Sequence, residues 1–251
     1  MKYMGSKAKY AENILDAIEN EVHSRIYDFH NYVEPFVGGA NVIDKTEKYN
    51  AFKCMTRIGN DINPYLIEMF RAVQKGWKPS DKYTEEDYKL AKENAKLTWK
   101  TVSPDLMIAE IGFIGIGCSY AGKWFGGYAR GNDNNGNARN YALESKKNLL
   151  KQSESLKDII FMNEEYYELD FARPSIIYCD PPYEGTTKYK DKFNHERFWM
   201  WCEAQRDKGH KVFVSEYKAP EGWRCIWEKV VNSSLTKETG SKQAVEKLFT
   251  K

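Results

Sequence analysis

The residues of this chain best suited to chemistry stand together at Asp180-Pro181-Pro182-Tyr183. The run before them, Ser175-Ile176-Ile177-Tyr178-Cys179, reads as a buried strand, because a short apolar run bounded by breakers is strand-like. Pro181 and Pro182 have no N–H to give to a ladder, so the strand ends there, and each restricts its predecessor to extended backbone. The exit is therefore stiff. It presents the Asp180 carboxylate, the Pro181 carbonyl and the Tyr183 ring, which amount to two acceptors and a stacking face. Ligands bind at the carboxyl ends of strands in open α/β sheets. Taken alone, the stretch serves equally well as a ligand site or as a proline turn stabilised by Asp180.

Two other stretches could complete a site. Tyr32-Val33-Glu34 reads as a strand stopped by Pro35, and Gly38-Gly39 as a tight turn into a helix near residues 41–48. Strand, glycine turn and helix form the first unit of a nucleotide-binding sheet, in which glycines let the backbone approach a ligand. The full G-x-G-x-x-G pattern is absent, so a plain strand-to-helix turn competes with this reading. A second strand within residues 54–60 ends at Asp61, and Pro64 opens a helix with Leu66, Ile67, Phe70 and Val73 on one face. An acid there, about twenty residues past the glycine turn, suits two ribose hydroxyls; capping the helix is the competing role.

The 251 residues, 41% hydrophobic and 29% charged, suit one large domain or a domain with an insertion. No apolar stretch is long enough to span a bilayer, and the N-terminal residues lack the apolar core of a secretory signal. The five cysteines are widely spaced without C-x-x-C and read as reduced thiols of a cytoplasmic protein. The four histidines do not cluster with them, so no metal site is predicted. A net charge of +2 is too small to announce a nucleic-acid partner.

Its distribution says more. Residues 9–21 are predicted to be helical, as are 84–100 and 195–208; 107–116 are apolar; further strands fall at 159–162 and 211–217, with a closing antiparallel pair at 224–232 and 246–250. Residues 76–157 interrupt the alternation of strands and helices. From Gly117 to Tyr141 they are rich in Gly and Asn, with Tyr120, Trp124, Phe125 and Tyr128 interleaved. Lys123, Arg130, Arg139, Lys146, Lys147, Lys151 and Lys157 outnumber Asp133, Glu144 and Glu154 over this region. Cations neutralise phosphates and aromatics or amides can touch bases, although a solvated insertion would share the composition.

Lys2-Tyr3-Met4-Gly5-Ser6-Lys7, Val33-Glu34-Pro35-Phe36-Val37-Gly38-Gly39 and Asp180-Pro181-Pro182-Tyr183, in this order and with a basic segment before the last, resemble the Dam-type DNA adenine-N6 methyltransferases over nearly the whole chain. The resemblance implies a Rossmann-like methyltransferase sheet with helices on both faces and an inserted DNA-recognition region. Residues 1–75 and 158–251 would be catalytic and 76–157 would recognise DNA. It implies S-adenosyl-L-methionine as cofactor, S-adenosyl-L-homocysteine as product and no metal. Tyr3 and Lys7 would lie near the cofactor, Lys7 beside its carboxylate. Phe36 and Gly38 would line the methionine part, Asp61 would hold the ribose, and Glu165 and Tyr166 would face the adenine. Asp180, also at the cofactor, would act with Pro181 and Tyr183 on a flipped-out target adenine. Lys123, Arg130, Arg139, Lys146 and Lys147 would contact double-stranded DNA. Tyr3 stands where the family has tryptophan, Ser6 where glycine is common and Glu165 where aspartate is usual. The family context implies a bacterial or phage-encoded enzyme, monomeric or weakly dimeric, with a restriction enzyme as a possible companion. Competing expectations are a non-catalytic DNA-binding or decoy protein on the same fold, and amino methylation of cytosine N4 or RNA adenine.

Overall fold

The computed structural model describes residues 1–97, 105–184, 193–232 and 243–251. Seven strands form one sheet: β1 (Asn31–Glu34), β2 (Thr56–Asn60), β3 (Ile159–Met162), β4 (Ser175–Cys179), β5 (Lys211–Ser215), β6 (Arg224–Asn232) and β7 (Gln243–Thr250). Their spatial order is β3-β2-β1-β4-β5-β7-β6. β1 to β5 run parallel, and β7 is antiparallel to both β5 and β6. The order reverses between β1 and β4, which makes their carboxyl ends the switch point where such sheets receive ligands. This is a mixed α/β fold of the Rossmann-like methyltransferase kind.

Strand periodicity assigns the faces. Tyr32, Ile176, Tyr178, Phe213 and Leu248 point to one side and join the core beneath α1 (Ala11–Val22), α3 (Pro64–Gln74), α5 (Asp105–Gly117) and α6 (Tyr141–Leu156). Val33, Ile177, Cys179, Val212 and Val214 point to the other and pack on Phe198, Trp201 and Cys202 of α7 (His195–Asp207). α5 and α6, both from the segment that interrupts the alternation, lie in the same core as α1 and α3. Gly112 allows the closest approach: a Cβ there would sit 2.2 Å from the Tyr65 carbonyl oxygen on α3.

Two local differences from expectation have physical causes. The helix expected near residues 41–48 is a 3₁₀ segment, Ile43–Lys48, followed by the short α2 (Asn50–Lys53). Thr46 donates its hydroxyl to Ile43 O at 2.7 Å, competing for a carbonyl that an α-helix would use in its ladder. The helix expected over 84–100 is α4 (Glu85–Asn94), started by a capping box between Thr84 and Asp87. Residues 98–100 of that expectation lie outside the described residues, as does most of the loop expected between the closing strands.

Candidate active site

The strand exits carry the polar residues. β1 leads through buried Glu34 and Pro35 to Phe36 and the turn at Gly38-Gly39-Ala40. Gly38 has φ +47° and Ala40 φ +53°, left-handed values that cost Ala40 about 1 kcal/mol or more. Tyr3 lies over this turn: a Cβ on Gly38 would approach Tyr3 Cε1 to 2.9 Å, and one on Gly39 would approach Tyr3 Cβ to 2.7 Å. Glycine is needed because the aromatic ring occupies that space. Most turn N–H groups point inward. Gly38 N–H donates to Asp61 Oδ2 at 3.0 Å, Ala40 N–H to Val37 O at 2.8 Å and Val37 N–H to Asn60 O at 2.7 Å.

β2 ends at Asn60 and Asp61. Asn60 Nδ2 donates to Pro35 O at 3.0 Å and Glu164 O at 2.9 Å, joining the exits of β1 and β3. Asp61 accepts from Gly38 and, through Oδ1, from Asn63 N–H at 2.9 Å. Burial pushes its carboxyl up, and these two N–H bonds oppose the shift. The helix cap is Asn63, which accepts from Tyr65 and Leu66 N–H ahead of Pro64. Asp61 is therefore not spent on capping. Ile62 beside it is 60% exposed and puts apolar surface at the rim. Tyr166 is buried with its ring 5.2 Å from that of Phe36, and Glu165 is half-buried just before it. Tyr3, Phe36, Gly38, Asp61, Glu165 and Tyr166 thus gather around the exits of β1, β2 and β3.

The exit of β4 gathers the rest. Lys7 is buried, with Nζ 3.1 Å from Asp180 Oδ1 and 3.5 Å from Glu246 Oε2. Burial works against its charge, but the two carboxylates outweigh it and hold the ammonium above its ordinary range. The same ammonium lies 4.6 Å from the centre of the Tyr183 ring, whose hydroxyl donates to Glu246 Oε2 at 2.8 Å. The Tyr217 ring meets Tyr183 edge-on at 4.8 Å. Burial raises the Asp180 carboxyl despite Lys7, whose ammonium holds Oδ1 at 3.1 Å.

Three carboxyls here escaped the site reading. Glu246 on β7 holds both Lys7 and Tyr183; it follows from the inward alternation of Glu246, Leu248 and Thr250, once the register of β7 is known. Glu216 follows β5, accepting from Tyr217 N–H at 2.8 Å and Glu184 N–H at 3.3 Å. Burial pushes its carboxyl up to about 7 against those two bonds. Glu34 is buried and accepts from the Tyr32 hydroxyl at 3.0 Å, and burial lifts its carboxyl well above its ordinary value. A charged residue beside a strand-ending proline was the available signal.

The basic residues lie on the loop after α5 and on α6, and Met4 N–H donates to Gly122 O at 3.2 Å, which joins that loop to the N-terminal segment carrying Tyr3. Lys123, Arg130, Arg139 and Lys147 are exposed, and Lys146 is half-buried. Arg130 pairs with Glu85, Arg139 Nε donates to Glu144 at 2.9 Å, and Lys146 lies 2.7 Å from Asp81. The loop carrying Lys123, Arg130 and Arg139 is braced by bridges pairing Ser119 with Tyr128 and Asn132 with Ala138, and by Asp133, which accepts from Asn135 and Asn137 N–H. Trp124, Phe125 and Tyr128, expected to offer faces to bases, are half-buried: Trp124 packs on Tyr65, and Tyr88 packs on Phe125 and Tyr128. Tyr120 is 70% exposed.

The Rossmann-like sheet thus presents a carboxylate, two prolines and an aromatic at its switch point. The family model for the D12 class N6 adenine-specific DNA methyltransferases matches residues 3–103 and 118–223, so the chain belongs to that family and is an adenine-specific DNA methyltransferase. A search of curated protein sequences finds no match. Among solved structures, the rRNA methyltransferase aviRa from Streptomyces viridochromogenes aligns with a TM-score of 0.39 and 9% identity, over 95% of this chain and 83% of that one. Membership carries DNA as substrate and a methyl donor as co-substrate. Among the described residues, no helix is long and apolar enough to cross a membrane.

Proposed function

We propose that the protein transfers a methyl group from S-adenosyl-L-methionine, with S-adenosyl-L-homocysteine as product, to N6 of an adenine rotated out of duplex DNA. The observation that carries this reading is the β4 exit, where the Asp180 carboxylate, anchored by Lys7, stands directly before the Pro181 carbonyl. Adenine's exocyclic nitrogen is a weak nucleophile because its lone pair is delocalised into the ring. Acceptance of its two N–H bonds by Asp180 and the Pro181 carbonyl draws it toward tetrahedral geometry and exposes the lone pair. The charge-assisted bond is the stronger, and fixed acceptors need no reorganisation. Asp180, already bonded to that amine, is placed to take the proton it sheds. Tyr183 lies beside the base, which must leave the duplex to reach this depth.

The cofactor supplies an electrophilic methyl group on a sulfonium. Tyr3, Phe36 and Gly38 would receive its methionine part, Asp61 its ribose, and Glu165 and Tyr166 its adenine, with Lys7 and Asp180 at the amino-acid end. Two observations support the fit. Asp61, Asp180, Glu216 and Glu246 give this edge more carboxyls than the single Lys7 cation balances, which suits a cationic ligand. The N–H groups of Gly38 and Ala40 are spent inside the protein, so the turn is not a phosphate cradle.

Within residues 76–157 we assign DNA recognition to the exposed loop and the outer side of α6, through Lys123, Arg130, Arg139, Lys146 and Lys147, and catalysis to 1–75 and 158–251. The enzyme would act on cytoplasmic DNA of a bacterium or an infecting phage, as a monomer or weak dimer, with or without a companion restriction enzyme. Mass analysis of nucleosides after incubation with the cofactor and unmethylated DNA tests the reaction. N6-methyladenine is expected. N4-methylcytosine, or no methylated base with the cofactor bound, would replace this reading with the cytosine or the non-catalytic one.

A further inference from the structure

The inward stripe of α6 is Ala142, Ser145, Leu149, Gln152 and Leu156, spaced as one helix face requires. Its two polar members are both spent on backbone carbonyls. Ser145 Oγ donates to Gly117 O at 2.7 Å and ties α6 to the end of α5. Gln152 instead reaches the glycine turn. Its Nε2 lies 3.1 Å from Gly39 O, 2.9 Å from Ala40 O and 2.9 Å from Asp44 Oδ2. Its Oε1 accepts from the Met1 nitrogen at 2.6 Å, which fixes which end of the amide faces the turn.

Those carbonyls belong to the least relaxed backbone at the site. Ala40 is left-handed although it carries a Cβ. Such a conformation persists only where its surroundings over-determine it. The only side-chain donor to the Gly39 and Ala40 carbonyls among the described residues comes from α6. We propose that Gln152 is a positioning residue for cofactor binding, clamping these two carbonyls so that Gly38 and Gly39 keep the shape that lies against Tyr3. It touches neither substrate nor cofactor and acts through the turn. The inference rests on the reading that this turn receives S-adenosyl-L-methionine.

Replacement by a side chain of similar length without donors strips the Gly39 carbonyl of its side-chain donor, leaves the Ala40 carbonyl only the Asp44 N–H at 3.3 Å, and lets Ala40 relax. Calorimetric titration with S-adenosyl-L-methionine is expected to show about tenfold weaker binding (roughly 1.4 kcal/mol) for Gln152→Met, with KM for the cofactor raised to match and kcat and KM for DNA within about twofold of wild type. Adding Ala40→Gly should recover most of the affinity, because glycine holds the left-handed turn without a clamp. Ser145→Ala, which removes the other buried tie of the same helix, should leave cofactor affinity unchanged. If Gln152→Met does not fold, Gln152→Asn, which draws the amide back by one carbon, carries the same expectation. Unchanged affinity in a folded Gln152 variant, equal losses in Gln152→Met and Ser145→Ala, or no recovery with Ala40→Gly would overturn the role of Gln152 alone. Failure of the wild type to bind the cofactor would overturn the reading of the turn and this inference with it.

Discussion

The carboxyl edge of the sheet and the polar loop at 118–141 both carry charge, and they hold it in opposite ways. At the edge, Lys7 is buried between Asp180 and Glu246, and Glu216 and Glu34 are almost fully covered. In the loop, Arg130 and Arg139 pair with acids in the open and Lys123 stands exposed, as does Lys147 on the adjoining α6. Burial makes a charge costly to leave unpaired and sensitive to small displacements, whereas exposure makes it cheap, screened by salt and replaceable. The edge is built to fix a few atoms in one geometry. The loop holds its arginines by exposed pairs with Glu85 of α4 and Glu144 of α6, which a phosphate could replace.

Breaking the edge should therefore cost much more than trimming the loop. Lys7→Met leaves Asp180 and Glu246 facing each other without their cation, and denaturant unfolding should show a loss of about 3–5 kcal/mol. A loss below about 1 kcal/mol would mean that this pair behaves like a surface bridge. Next in size is a pH effect. The folded Glu216 carboxyl sits at about 7, above its ordinary value, so folding favours the protonated form. That stabilisation is complete below the ordinary carboxyl range and is lost as pH rises through about 7, amounting to roughly 3 kcal/mol. Glu216→Gln should flatten the fall of Tm between pH 5 and 8; an unchanged slope would assign it to another group. The smallest effect belongs to the basic residues that follow the loop on α6. Lys147→Ala should weaken DNA binding uniformly across sequences and lower the slope of log K against log salt by about 0.9. Lys146→Ala should do less, because Asp81 already holds that ammonium. Equal slopes would show that Asp81 yields its partner to DNA at no cost.

Much of the edge was legible in the chain, because breakers mark it. Pro35, Pro64, Pro181 and Pro182 stop or start elements within a residue or two of where the backbone changes, and Gly38-Gly39 marks the turn. What escaped depends on contacts distant in sequence. Glu246 enters the site only through the pairing of β7 with β5, and no local pattern sets that register. α5 showed as an apolar stretch without a helical period because it is apolar all round, being buried by α3, α4 and α6. Gln152 is a polar residue in an apolar stripe, and its role appears only when its partners are known to be the Gly39 and Ala40 carbonyls. In the loop, composition suggested aromatic faces for bases, yet Trp124 and Phe125 brace it against α3 and α4 instead.

The central claim is that Asp180 at the β4 exit activates the adenine amine. Single-turnover transfer from radiolabelled S-adenosyl-L-methionine to adenine-containing duplex DNA, comparing wild type with Asp180→Ala, tests it most directly. The account predicts a fall of at least about 10²–10³-fold in the transfer rate while the variant still binds DNA. Transfer by Asp180→Ala at a rate near that of the wild type would contradict it.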